Sequence, residues 1–136
     1  MPSIFSRIIA GEIPSHKVAE NEEFLAFLDI HPLSLGHSLV IPKKETDYIF
    51  DLEDAALSKL ILFSKKVALA IEANVDCIRI GVCVIGLEVP HAHIHLIPIN
   101  NMDDMNFSKP KLQLDSSTLH SLATRIKSSF DQKNPI

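Results

Sequence analysis

Apolar and polar residues alternate in five short stretches of this chain and recur at helical spacing in three others. Residues 3–10 carry Ile4, Phe5, Ile8 and Ile9 ahead of Gly11, which predicts a short N-terminal helix or turn. Lys17–Glu20 and Phe24–Ile30 read as strands joined by the polar turn Asn21-Glu22-Glu23. Pro32 and Gly36 mark a loop, and 36–42 reads as a third strand with His37, Leu39 and Ile41 on one face. Asp51, with Asp54 three residues on, predicts the start of a helix that runs to about Asn74. Its stripe is Leu57, Leu60, Ile61, Val67, Ala68 and Ile71, and Leu62, Phe63 and Leu69 widen it. Residues 77–84 predict a fourth strand, 86–90 a loop, and 91–99 a fifth strand. Residues 100–114 are polar and read as irregular, and Leu119, Leu122, Ile126 and Phe130 predict a last helix.

Only one helix links strands in this order, and the early connections are short. The pattern therefore predicts an α+β fold: a five-stranded, mainly antiparallel sheet with one long helix and a C-terminal helix. The long helix has more apolar surface than one sheet can cover, so a partner subunit is the expected second cover.

Composition narrows the class. The 136 residues fit one domain, 1–136, and 46% apolar residues supply a core. Thirteen basic against 17 acidic residues give a net charge of −4, which argues against a broad nucleic-acid surface and leaves room for a local phosphate site. Cys77 and Cys83 read as thiols of a reducing compartment rather than a disulfide. The opening residues lack the apolar region of a secretory leader, and no apolar run reaches the roughly 20 residues that span a bilayer. The expectation is a soluble, cytoplasmic protein without a membrane partner.

The chemistry is concentrated in His91-Ala92-His93-Ile94-His95. Alternate residues of a strand share a face, so three imidazoles face one way and hydrocarbon the other. Two readings compete. Neighbouring histidines of the row can share a metal, but the outer two are roughly 13 Å apart along a strand and do not reach one ion easily. Alternatively, a neutral imidazole attacks phosphorus while its neighbours steady the phosphoryl oxygens and assist the leaving group. His93, flanked on both sides, is the position suited to attack.

His91-Ala92-His93-Ile94-His95-Leu96-Ile97 resembles the signature of the histidine-triad (HIT) family. So do Ile4-Phe5 with Ile8 to Pro14, Leu25 to Ile30 with Pro32, and Gly36 to Lys43, so that the likeness spans about residues 3–99. The resemblance implies hydrolysis or transfer at the α-phosphorus of a purine nucleotide, with no cofactor. It implies His93 as nucleophile, His91 and His95 on phosphate oxygens and leaving group, and His37 completing the cluster. Asp29 would hold the ribose, and Ile4, Phe5, Ile8, Phe27 and Ile30 would enclose the base. For Phe5, Phe27 and His37 the competing reading is ordinary core, and for Asp29 a solvated strand end. The implied fold is the same antiparallel sheet, and the implied assembly is a homodimer that joins two sheets.

The chain also departs from the family. Several members bind zinc through an N-terminal Cys-x-x-Cys and further histidines; here Ser3, Ser6 and Glu45 stand at those places, so no metal is expected. A Gln often found before the triad is replaced by Leu87, next to Glu88, in a loop that looks short. Glu88 could bind an amine leaving group or orient a histidine. Three activities follow as expectations: hydrolysis of nucleoside phosphoramidates or adenylylated compounds, hydrolysis of dinucleoside polyphosphates, or nucleotide binding with little catalysis.

Overall fold

The computed structural model describes residues 2–135. The chain opens with α1 (Ile4–Ile9), capped by the Ser3 side chain, which accepts from Ser6 N–H. Three strands follow, β1 (Lys17–Glu20), β2 (Phe24–Leu28) and β3 (Ser38–Pro42). A long helix, α2 (Asp54–Glu72), leads to β4 (Arg79–Cys83), β5 (Ile94–Ile99) and α3 (Ser116–Lys133). The strands form one sheet in the order β1-β2-β3-β5-β4, and every pairing is antiparallel. The α+β expectation holds.

Several boundaries differ from the pattern-based ones. β2 stops at Leu28: Asp29 N–H still bonds His37 O, but its carboxylate turns back to accept from His31 N–H, and the local turn ends the regular strand. α2 is not capped by Asp51, which lies in a 3₁₀ turn, Ile49–Asp51, held by the buried Ile49; the helix starts at Asp54 after Glu53. Regular pairing of β5 begins only at Ile94, because Ala92 N–H bonds Thr46 O, beyond the end of β3. The buried face of α2 is Leu60, Phe63, Ser64, Val67, Ala70 and Ile71. Ile61, expected inside, is exposed together with Leu62 and Leu69.

The sheet has two apolar faces. On one, Ala26, Val40, Ile94 and Leu96 pack against α2 and α3, through Leu60, Val67, Leu122 and Ile126 among others. On the other, Leu25, Phe27, Leu39 and Ile41 are covered by Phe5 and Ile8 of α1. Register sets the second face: Phe27 lies opposite Leu39, and Leu39 opposite His95. His37 lies two residues back from Leu39 and so lies diagonal to His95. Gly36, at φ +98°, makes the turn that delivers His37; a Cβ there would come within 3.0 Å of Val75.

Candidate active site

Four histidines, His37, His91, His93 and His95, are buried on the α1 side of the sheet. Their hydrogen bonds fix which nitrogen carries each proton. His37 Nδ1 accepts from Leu33 N–H at 3.0 Å, so its proton is on Nε2. That Nε2–H faces His95 Nδ1 at 3.0 Å, so His95 carries its own proton on Nε2. His93 Nδ1 donates to the carbonyl oxygen of His91 at 2.8 Å, so the neutral ring carries its lone pair on Nε2. His91 Nε2 donates to Pro42 O at 2.8 Å, so its Nδ1 accepts from Ser3 Oγ–H at 2.7 Å.

No buried side-chain nitrogen or oxygen among the described residues lacks a partner. The Nε2 atoms of His93 and His95, which have none, therefore reach solvent. One offers a lone pair and the other an N–H, with the rings 5.0 Å apart. Burial pushes the His37 pKa down to about 3 and that of His95 to about 4, with neighbouring imidazoles adding to the effect. Burial also lowers that of His91. These three rings are neutral at pH 7.

The expected site residues are not all equivalent. His91 is fully buried, with both ring nitrogens bonded inside the protein. Asp29 stands at the open end of β2, with Oδ2 3.7 Å from His37 Nε2. Burial raises its pKa, against the opposing pull of its bond from His31 N–H. Phe5 packs edge-on against His93 at 5.1 Å and Phe27 at 5.6 Å. Phe5, Ile8 and Phe27 are buried, while Ile4 (48% exposed) and Ile30 (57%) are open. Glu88 is exposed in the loop before the triad and makes no hydrogen bond or ion pair among the described residues.

The sequence reading missed five residues. Phe107, from the stretch read as irregular, packs on His95 at 5.1 Å and His37 at 6.3 Å. Lys111 lies over the Phe107 ring at 5.8 Å and donates to the carbonyls of Phe107 and Lys109. Its charge acts on both Asp29 and His37. A lone aromatic in a polar stretch was the available signal. Ser3, Ser6 and Glu45, noted only as replacements, bond to one another and to His91.

Two groups of side chains offer atoms of the kind that ligate metals. Asp29, His37 and His95 have ligand atoms within 4.8 Å of one another. However, the Leu33 bond puts a proton on His37 Nε2, the atom that faces the other two, so that nitrogen is not a free ligand. Ser3, Ser6, Glu45 and His91 offer hydroxyls in place of thiolates, and those hydroxyls are already engaged by the carboxylate and the imidazole. Neither set fits structural zinc.

The HIT domain family model matches residues 10–102, so this chain belongs to the HIT family. An uncharacterized HIT-like protein of Borreliella burgdorferi is 35% identical over 131 residues, covering 90% of this chain and 94% of its own. An adenosine 5'-monophosphoramidase of Schizosaccharomyces pombe is 34% identical over 130 residues, 94% of this chain and 98% of its own. A crystal structure of a Hit-like protein from Bartonella henselae superposes with TM-score 0.80 at 30% identity, covering 93% and 95% of the two chains. No helix among the described residues is long and apolar enough to cross a membrane.

Proposed function

We propose that the chain is a nucleotide hydrolase acting at the α-phosphorus of purine nucleoside phosphoramidates or related adenylylated compounds, through a covalent nucleotidyl-His93 intermediate. The observation that carries this reading is the tautomer of His93, whose Nδ1–H is spent on His91 O while its Nε2 lone pair is solvent-facing. The S. pombe relative's name supports the substrate class. In the first step His93 Nε2 bonds to phosphorus and the bond to the leaving atom breaks. The amine departs with that electron pair and a proton from water. The remaining hydroxyl then attacks phosphorus and frees His93, so that one water is consumed in all. His95 Nε2–H donates to the phosphoryl oxygens as charge develops on them. Asp29 accepts from the ribose hydroxyls, and the side chains around Phe5, Ile8 and Phe27 form the wall against the base.

Incubation with adenosine phosphoramidate in the presence of a chelator is expected to release AMP. Micromolar AMP affinity by calorimetry without any turnover would overturn the hydrolase reading in favour of a binding protein. Dinucleoside polyphosphates are the second reading, and Lys111 is the observation that favours it. A cation held against Phe107 at the His95 side suits substrates with further phosphates. If that reading holds, Lys111→Ala raises KM for a dinucleoside polyphosphate by about tenfold and that for the phosphoramidate by less than about threefold. Equal effects on the two substrates would leave Lys111 no role in choosing between them.

The assembly we propose is a homodimer. β4 is an edge strand with Val82 exposed, Ile78 and Val84 are exposed at its two ends, and α2 nearby exposes Ile61, Leu62 and Leu69. Val82 pairs with Leu96 and so faces the α2 side of the sheet. Apolar side chains at an open edge and on the neighbouring helix suit a second copy. Light scattering at low micromolar concentration is expected to give twice the 15.1 kDa chain mass, and Val82→Lys is expected to give the monomer mass. A wild-type monomer would refute the dimer.

A further inference from the structure

The hydrogen bonds behind His91 form a directed chain that reaches the protein surface. Glu45 Oε1 accepts from Ser3 N–H at 2.6 Å and from Ser6 Oγ–H at 2.7 Å. The Ser3 hydroxyl accepts from Ser6 N–H at 3.0 Å, and its own proton is directed to His91 Nδ1 at 2.7 Å. His91 then spends its Nε2–H on Pro42 O. Ser6 Oγ also lies 3.5 Å from His91 Nδ1, much longer than its 2.7 Å bond to Glu45, and reversing the Ser3–His91 link would leave a lone pair on His91 Nε2 facing Pro42 O. The ring of His91 is thus pinned at both nitrogens, and its peptide is held further by His91 N–H to Val89 O and Ala92 N–H to Thr46 O. The carbonyl of that pinned residue is the acceptor of His93 Nδ1–H. The same serines begin α1, whose Phe5 packs edge-on against His91 at 5.8 Å and His93 at 5.1 Å.

We propose that Glu45, acting through Ser3 and Ser6, is a positioning residue that locks His91 as an Nδ1 acceptor and so holds His93 in the tautomer that frees Nε2 for attack. The proposal rests on His93 being the nucleophile. Glu45 is exposed and touches no substrate group in this scheme; it acts only through the serines. It suits the task because it stays ionised: the bonds from Ser3 N–H and Ser6 Oγ–H hold its pKa down to about 2, so the lock does not open across the range in which histidines titrate. Its position three residues after Pro42 lets one segment grip His91 at Nε2 and the serines at the same time. Misplacing a reacting group through such a supporting contact costs on the order of tenfold to a hundredfold in rate.

The test combines nitrogen NMR of histidine-labelled protein with steady-state kinetics on adenosine phosphoramidate. Wild type and Ser3→Thr, which keeps the hydroxyl, are expected to show His93 protonated at Nδ1 alone. Ser3→Ala and Glu45→Ala are expected to show a mixture of His93 tautomers, kcat lower by about tenfold or more, and KM within about twofold of wild type. Melting curves confirm that each variant is folded at the assay temperature. A purely structural role would lower the melting temperature and leave the tautomer and kcat of the folded fraction untouched, and that result would overturn the proposal. If wild type turned over no phosphoramidate, the hydrolase reading would fall. The NMR would still decide the lock, because an unchanged His93 tautomer in Ser3→Ala overturns it and a mixture upholds it.

Discussion

Replacing His93 by alanine is expected to lower turnover by on the order of 10³-fold or more in a protein that remains folded. The size follows from the nitrogen inventory. His91 has both ring nitrogens committed, and His37 points its one proton at His95. His95 faces solvent with an N–H rather than a lone pair. None of the three can take over attack without first rearranging its bonds. Folding is less sensitive. The lost ring gives up one hydrogen bond to a carbonyl that solvent can reach through the gap, and edge contacts with Phe5 and His95. That is a loss of about 1–2 kcal/mol in a site with a solvent-facing side. The check is turnover beside circular dichroism and a melting curve. His93→Gly with added imidazole supplies a second readout, since a small free imidazole in the vacated space is expected to restore part of the rate. Activity of the alanine variant within about tenfold of wild type would remove His93 as nucleophile.

What the sequence revealed about fold and site depended on how local each cause was. β1 and α3 follow from patterns a few residues long, the latter from the spacing of Leu119, Leu122, Ile126 and Phe130. The triad is legible for the same reason: a period of two puts Ala92, Ile94 and Leu96 in one core and the imidazoles opposite. The start of α2 was misread because two acids in a row of candidates look alike, and the buried Ile49 selects between them through a contact that periodicity does not encode. The outward turn of Ile61 depends on which side of α2 meets the sheet, again a tertiary choice. Most of all, the role of His91 was hidden. Its partners Ser3 and Pro42 lie 88 and 49 residues away, and a strand pattern cannot say that one ring of three faces inward to a hydroxyl. Phe107 reaches His95 from a segment without periodicity of any kind.

Those inward-facing rings make the fold sensitive to acid. Stability is expected to fall steeply as pH drops from about 6.5 toward 4, before most carboxylates titrate. In the unfolded chain His37 and His95 take up protons near the ordinary imidazole value of 6.5. In the folded chain burial delays this to about 3 for His37 and about 4 for His95. Between those limits the unfolded state binds more protons, so unfolding becomes easier as pH falls, by about 1.4 kcal/mol per pH unit for each histidine. Two such groups give about 3 kcal/mol between pH 5.5 and 4.5, and His91, lowered in the same direction, adds to it. Carboxylates whose pKa is lowered, Glu20, Glu45, Asp103 and Asp115, extend the loss only below their ordinary range near 4. Asp29, raised by burial, works the other way, because its folded form gains the proton first. Urea unfolding at pH 7.5, 5.5 and 4.5 measures the slope. His37→Asn keeps an acceptor for Leu33 N–H and removes one titrating ring, so its slope is expected to be shallower by about 1.4 kcal/mol per unit. A wild-type stability that stays flat from 6.5 to 4.5 would mean that the imidazoles are protonated in the folded protein. The hydrogen-bond directions that leave His93 Nε2 as the free lone pair would then be wrong as well.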